Sequence, residues 1–295
     1  MGTVARFGAL GVMKTREKVW LLVNEASGSH THERIEQLLS GLDRAGMKPA
    51  RIIDCASESL PDKAELSQAS VGVFVVHGGD GTLNAVLARA EHWDGTVLAL
   101  PGGTANLLCR ALYDEPDLDR ILERLSAGNL CRVRRSCIRN SGRMAMAEVL
   151  IGPGATWSDV REEIRDGDIA DVVSSAIDAA NQSMMGPMVA VSEPALGNPE
   201  GYAGVRLYPQ GGRMLVDGYG ATVLSDYFKQ AAAIARHDFR EGPHDELGGH
   251  MRVMCRSVEG ASMPLMFDGE RFDGGPSEEF SLAELAVDLF CNADG

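Results

Sequence analysis

Two glycine turns, each set between an apolar run and a segment of helical period, constrain this chain more than any other feature. Val71 to Val76 is apolar or glycine throughout, as a strand covered on both faces is. It runs into His77-Gly78-Gly79-Asp80-Gly81-Thr82, after which Leu83, Val86, Leu87 and Ala90 fall on one helical face. The pattern returns at once with Val97 to Leu100, the turn Pro101-Gly102-Gly103-Thr104, and the helical set Leu107, Leu108, Ala111 and Leu112. Strands alternating with helices imply right-handed crossovers and a parallel sheet. Lys18 to Val23 reads as a further strand ending in the polar loop Asn24-Glu25-Ala26-Ser27-Gly28, and Ile35, Leu38, Leu39 and Leu42 as the face of the helix that follows and closes near Gly46. Arg51 to Ile53 is a weaker strand, and Leu118, Ile121, Leu122 and Leu125 make a helix stopped by Gly128.

Past residue 131 the texture changes to short alternating segments such as Val205 to Leu207, Met214 to Val216 and Ala221 to Leu224, which read as antiparallel sheet. Asp171 to Met185 is the exception and has the spacing of a helix. The expected organisation is an α/β domain over 17–131 and a β-rich domain over 132–281, with the last segment, 282–295, a candidate to return to the first. A chain of 295 residues is long enough for two such cores. No apolar run approaches the roughly 20 residues of a membrane-spanning helix. The N-terminal stretch Phe7 to Met13 lacks a cleavage site and reads as a ragged leader. Six scattered cysteines, with no CxxC pair, fit reduced thiols in a cytoplasm.

A net charge of −14 argues against bulk attraction to nucleic acid or to an anionic bilayer. Arg132, Arg134, Arg135, Arg139 and Arg143 crowd one segment, readable as a solvated strand face or as a patch for lipid headgroups. His30-Thr31-His32 lacks the spacing of a zinc site, and Met184, Met185 and Met188 read as core filling.

Ligands of open parallel sheets collect at the carboxyl ends of the strands, where both glycine turns fall. Glycines let the backbone approach an anion and turn N–H groups toward it, and a helix N-terminus adds partial positive charge. Gly78, Gly79, Gly81 and Thr82 therefore form a candidate phosphate cradle, joined by Gly102, Gly103, Thr104 and Asn106 in the second turn. Asp80 repels phosphate, so it either orders the loop or meets a magnesium ion bridging the phosphates. Asn24, Ser27 and Gly28 end the first strand at the same edge. A tight turn and ordinary N-capping by Thr104 and Asn106 are the plainer alternatives. Neither GxxxxGK[ST] nor GxGxxG describes these turns, so charge must be neutralised without a P-loop lysine.

With GGDGTLN at 78–84 and LPGGTANLLCRAL at 100–112, the sequence resembles the diacylglycerol kinase catalytic-domain family, which includes soluble bacterial lipid kinases and sphingosine and ceramide kinases. The resemblance implies an N-terminal nucleotide domain similar to that of NAD kinases and phosphofructokinases, a β-rich C-terminal domain, and ATP and magnesium in the cleft between them. It also implies that the Asp268-Gly269-Glu270 turn supplies the base, Glu270 taking the proton of a lipid hydroxyl with Asp268 beside it. Asp-Gly-Glu is otherwise a plain hairpin turn. The implied lipid substrate would be reached by transient peripheral contact with a membrane; the oligomeric state, a homodimer included, is open.

Three departures accompany the resemblance. Glu25 stands where the family carries a proline, no threonine lies near Asp54 or Cys55, and the family's acidic metal loop is matched only loosely by Asp245 and Leu247, with Asp217-Gly218 competing. The alternatives are an NAD-kinase-like enzyme acting on a soluble substrate, although no Asn-Glu pair follows the second turn, and a nucleotide- or lipid-binding regulator without catalysis.

Overall fold

The computed structural model describes residues 17–24, 32–103, 105–153, 186–220 and 244–293. The leader, Glu25, Ser27, Gly28, Thr104, the helix expected over Asp171 to Met185 and the strand expected over Ala221 to Leu224 lie outside them. The chain divides into two compact units, one running to Arg135 and resuming at Leu285, the other comprising Ser136–Glu284.

The first unit is an α/β layer structure. Its strands are β1 (Lys18–Val23), β2 (Arg51–Asp54), β3 (Val71–Gly78), β4 (Thr96–Pro101) and β5 (Leu130–Val133), joined by β18 (Asp288–Asn292) from the chain's end. They are ordered β2-β1-β3-β4-β18-β5, parallel as far as β18, with β5 antiparallel to it. β4 is buried along its whole length, as a central parallel strand between helical layers must be. Helices α1 (His32–Arg44), α2 (Lys63–Gln68), α3 (Asp80–Arg89), α4 (Leu107–Tyr113) and α5 (Leu118–Ser126) connect the strands. Asp117 caps α5 through the Arg120 N–H, and Gly128 follows it with φ +72°. Leu118, Ile121, Leu122 and Leu125 are its buried face. Opposite Leu122, α1 carries Gly41, where an added Cβ would stand 2.6 Å from Leu122 Cδ1, so the helices meet at a glycine.

Among the described residues the second unit is a sandwich of two antiparallel sheets of six strands each. One contains β6 (Ser136–Asn140), β7 (Arg143–Ala145), β9 (Val189–Glu193), β10 (Ala195–Leu196), β14 (Arg252–Ser257) and β17 (Ser277–Glu284). The other contains β8 (Val149–Ile151), β11 (Gly204–Gln210), β12 (Arg213–Tyr219), β13 (Asp245–His250), β15 (Pro264–Phe267) and β16 (Glu270–Asp273). Ile138, Val253 and Phe280 from the first sheet interleave with Val149, Val205, Val216 and Phe267 from the second in one core. Among the described residues no helix is long and apolar enough to cross a membrane.

Because Leu122 is buried against a helix that cannot close the gap with a side chain, Leu122→Ala should destabilise the protein by about 2–5 kcal/mol. Urea denaturation followed by circular dichroism measures it.

Candidate active site

The two glycine turns lie backbone against backbone. β3 and β4 are in register, with His77 beside Leu100 and Gly78 beside Pro101, so the turns leave the sheet side by side. The Gly102 N–H then donates to the Gly78 carbonyl at 3.0 Å. A Cβ at Gly102 would lie 2.8 Å from the Gly78 nitrogen, and one at Gly103 would lie 2.7 Å from the Gly79 Cα. Neither neighbour is a side chain that could swing away, so any residue larger than glycine at 102 or 103 separates the loops. Gly79 is different: its φ is −78°, and an added Cβ would meet Gly103 Cα at 3.5 Å, an ordinary contact.

The amides of the second turn are already engaged. Gly102 donates to Gly78, and Gly103 donates to Asn106 Oδ1 at 3.0 Å while its carbonyl accepts from Asn106 Nδ2 at 2.8 Å. The expectation that both turns present bare N–H groups to phosphate is thus corrected for Gly102 and Gly103, whose hydrogens hold the second turn to itself and to the first. Asn106, in the left-handed region at φ +49°, closes that ring and forms no side-chain cap on α4.

The cap of α4 comes from the other turn. Asp80 Oδ1 accepts the Leu108 N–H at 3.1 Å, and the aspartate is itself buried in the first turn of α3. One carboxylate thus sits at two helix starts, where negative charge is favoured. Of the two roles open to Asp80 in the sequence, ordering the loop is observed. Burial next to Asp80 also pushes the Cys109 thiol far above its ordinary range.

Gly79, the N-cap of α3, provides no side-chain cap. The first N–H groups of a helix have no intrahelical acceptor, so the Asp80-Gly81-Thr82 turn has the geometry of an anion seat. Asn24 joins it from the end of β1: its N–H donates to the His77 carbonyl at 3.2 Å, and its Nδ2 donates to Thr82 Oγ1 at 2.9 Å. A hydroxyl that accepts in this way keeps its O–H as a donor.

In the second unit, Asp268 and Gly269, with φ of +47° and +93°, form the two-residue turn of the β15–β16 hairpin, and Glu270 stands opposite Phe267. Glu270 is exposed, whereas Asp268 is buried and accepts from the N–H groups of Met146, Ala147 and Glu148 at 2.6, 2.9 and 2.8 Å. Asp268 is therefore an anchor for the 146–148 loop. Asp245 Oδ2 accepts from the Tyr202 hydroxyl at 2.8 Å, and Asp217 lies 3.9 Å from both Arg206 and His244. Among the described residues no group of three or more His, Cys, Asp or Glu could hold a metal ion, so the loose match to a metal loop finds no ligand cluster there. The arginine segment is spread over several partners: Arg132 pairs with Glu17, Arg134 with Asp288 at 2.8 Å, Arg135 donates to the Ala111 carbonyl, and Arg143 stacks on Phe272.

The diacylglycerol kinase catalytic domain family model matches residues 18–136. A solved structure from Bacillus anthracis str. Sterne, provisionally named a diacylglycerol kinase, shares 16% identity and superposes with a TM-score of 0.64, covering 97% of this chain and 99% of its own. A second structure from that organism, described as a diacylglycerol kinase, gives 0.62 at 16% identity with coverages of 94% and 98%. Yeast NADH kinase complexed with NADH gives 0.49 at 10% identity with coverages of 95% and 84%. No curated protein matches the chain.

The contact between the turns predicts a graded glycine series. Gly102→Ala and Gly103→Ala should each lower stability by about 1–3 kcal/mol through overpacking, whereas Gly79→Ala, which only exchanges one N-cap residue for a poorer one, should cost less than about 1 kcal/mol. Thermal unfolding of the three proteins measures the difference.

Proposed function

We propose, from the match of residues 18–136 to the diacylglycerol kinase catalytic domain model, that this protein moves the terminal phosphate of ATP to the hydroxyl of a lipid. The observation that carries the reading is the first turn of α3, whose N-cap Gly79 supplies no side-chain cap and which is backed by a second glycine turn packed too closely on it for side chains at 102 and 103. There the N–H groups of Asp80, Gly81 and Thr82 would receive phosphate oxygens, with the Thr82 hydroxyl as a further donor. Gly102, Gly103 and Asn106 serve as the rigid support behind that seat.

A magnesium ion would lower the negative charge on the phosphates. Asp80 suits that ion, because Mg²⁺ is commonly held by one or two carboxylates together with substrate phosphates. Asp80 has a carboxylate placed in the first turn, although one of its oxygens also caps α4. In the transfer, the lipid oxygen forms a bond to the γ-phosphorus as the bond to the β–γ bridging oxygen breaks and ADP departs. The hydroxyl proton passes to Glu270, which the family resemblance assigns as the base and whose exposed position on the hairpin leaves it open to a substrate.

Mass spectrometry of a total lipid extract incubated with ATP and magnesium tests the activity: a lipid gaining one phosphate is expected. Phosphorylated NAD as the sole product overturns the lipid reading, and no product from either substrate favours a binding protein. Two substitutions test the roles of residues. Asp80→Asn keeps an acceptor for Leu108 and should leave the melting temperature nearly unchanged while slowing turnover, whereas Asp80→Ala should also cost about 0.5–2 kcal/mol of stability by removing the cap. Glu270→Gln should lower kcat by about 10²–10⁴ with little change in the KM for ATP.

A further inference from the structure

Behind the Asp268–Glu270 turn lies a buried ion cluster that no part of the reaction uses. Glu148, whose side chain is 3% exposed, receives the Nε–H of Arg206 at 2.8 Å. Arg206 in turn lies 4.2 Å from the Tyr208 ring centroid and 3.9 Å from Asp217, which also has His244 at 3.9 Å. Among the described residues the cluster sets the carboxylates of Glu148 and Asp217 around the guanidinium of Arg206, and Glu246 adds to the negative charge felt by Asp217. Carboxylates this deeply buried persist only where a cation and hydrogen bonds compensate them.

Glu148 is also the residue that touches the turn. Its N–H donates to Asp268 Oδ1 at 2.8 Å, and its carbonyl accepts the Asp268 N–H at 3.0 Å. Two backbone bonds on one side and an ion pair on the other leave it little freedom. Neighbouring Val149 pairs with Phe267, and Phe267 pairs with Glu270, so a shift at Glu148 passes directly into the hairpin.

Resting on the assignment of Glu270 as base, we propose that Glu148, clamped by Arg206, is a positioning residue: it fixes the Asp268 turn and through it the placement of Glu270, without touching substrate. Displacing a reacting group by about 1 Å can cost around 100-fold in rate.

A double-mutant cycle on turnover of the phosphorylated lipid tests it. Glu148→Gln keeps the side chain's shape and removes its charge; kcat should fall about 10- to 100-fold with the KM for ATP held within about twofold. In a Glu270→Gln background the same substitution should have no further effect, because its route to the chemistry has gone. A full loss in both backgrounds overturns the positioning role, as does wild-type kcat in the Glu148→Gln protein. Glu270→Gln with wild-type turnover overturns the assignment of the base instead, so the two failures are distinguishable. If Glu148→Gln does not fold by circular dichroism, Arg206→Lys, which keeps the charge but not the planar Nε–H, enters the same cycle with the same expectations.

Discussion

The contact on which the nucleotide-binding proposal depends is between two main chains. Gly102 and Gly103 lie on Gly78 and Gly79 at separations that exclude even a methyl group, and the Gly102 N–H bonds directly to the Gly78 carbonyl. Parallel pairing of β3 and β4 delivers both turns to the same sheet edge, and absence of side chains lets them touch. One turn thereby becomes the support of the other. Asp80 completes the arrangement by capping the second turn's helix from the first, so the loops are joined by a backbone bond and by a carboxylate at two helix starts.

Much of this was legible in the sequence because it is local. Apolar runs of strand length, helical spacing and glycine-rich turns sit within a few residues of one another, and they locate β3, β4 and the starts of α3 and α4. The consequences of folding were less visible. Nothing in the spacing says that Asp80 bonds to an amide 28 positions away, or that the Gly102 and Gly103 hydrogens are used between and within the turns. The short helix α2 escaped a periodicity reading because only Leu66 is buried in it. Its signal was instead the capping box, Asp62 accepting from the Glu65 N–H while the Glu65 carboxylate receives that of Asp62.

In the β-rich unit the alternating pattern reveals strands, but not which polar residues the second face of a sheet will bury. Val205 and Leu207 face the core, and the same alternation sends Arg206 and Tyr208 to the opposite face, where Asp217 arrives from β12 and Glu148 from the residue before β8. Asp-Gly in a hairpin reads as a type I′ turn, and the two positive φ angles agree. The second task of Asp268, gathering three consecutive amides, needed the fold, since those amides lie some 120 residues upstream. Asp268 thus acts on the loop behind the hairpin, whereas Glu270 is the exposed carboxylate of the turn.

The central claim is that polyphosphate rests on the first turn of α3 and that the second glycine turn only supports it. Amide chemical shifts of the isotope-labelled protein during titration with ATP and magnesium test this at single residues. The Asp80, Gly81 and Thr82 signals should move and saturate together, while Gly102 and Gly103, whose hydrogens are already bonded, move little. Saturable binding that leaves the α3 amides in place, or moves those of Gly102 and Gly103 instead, would contradict it.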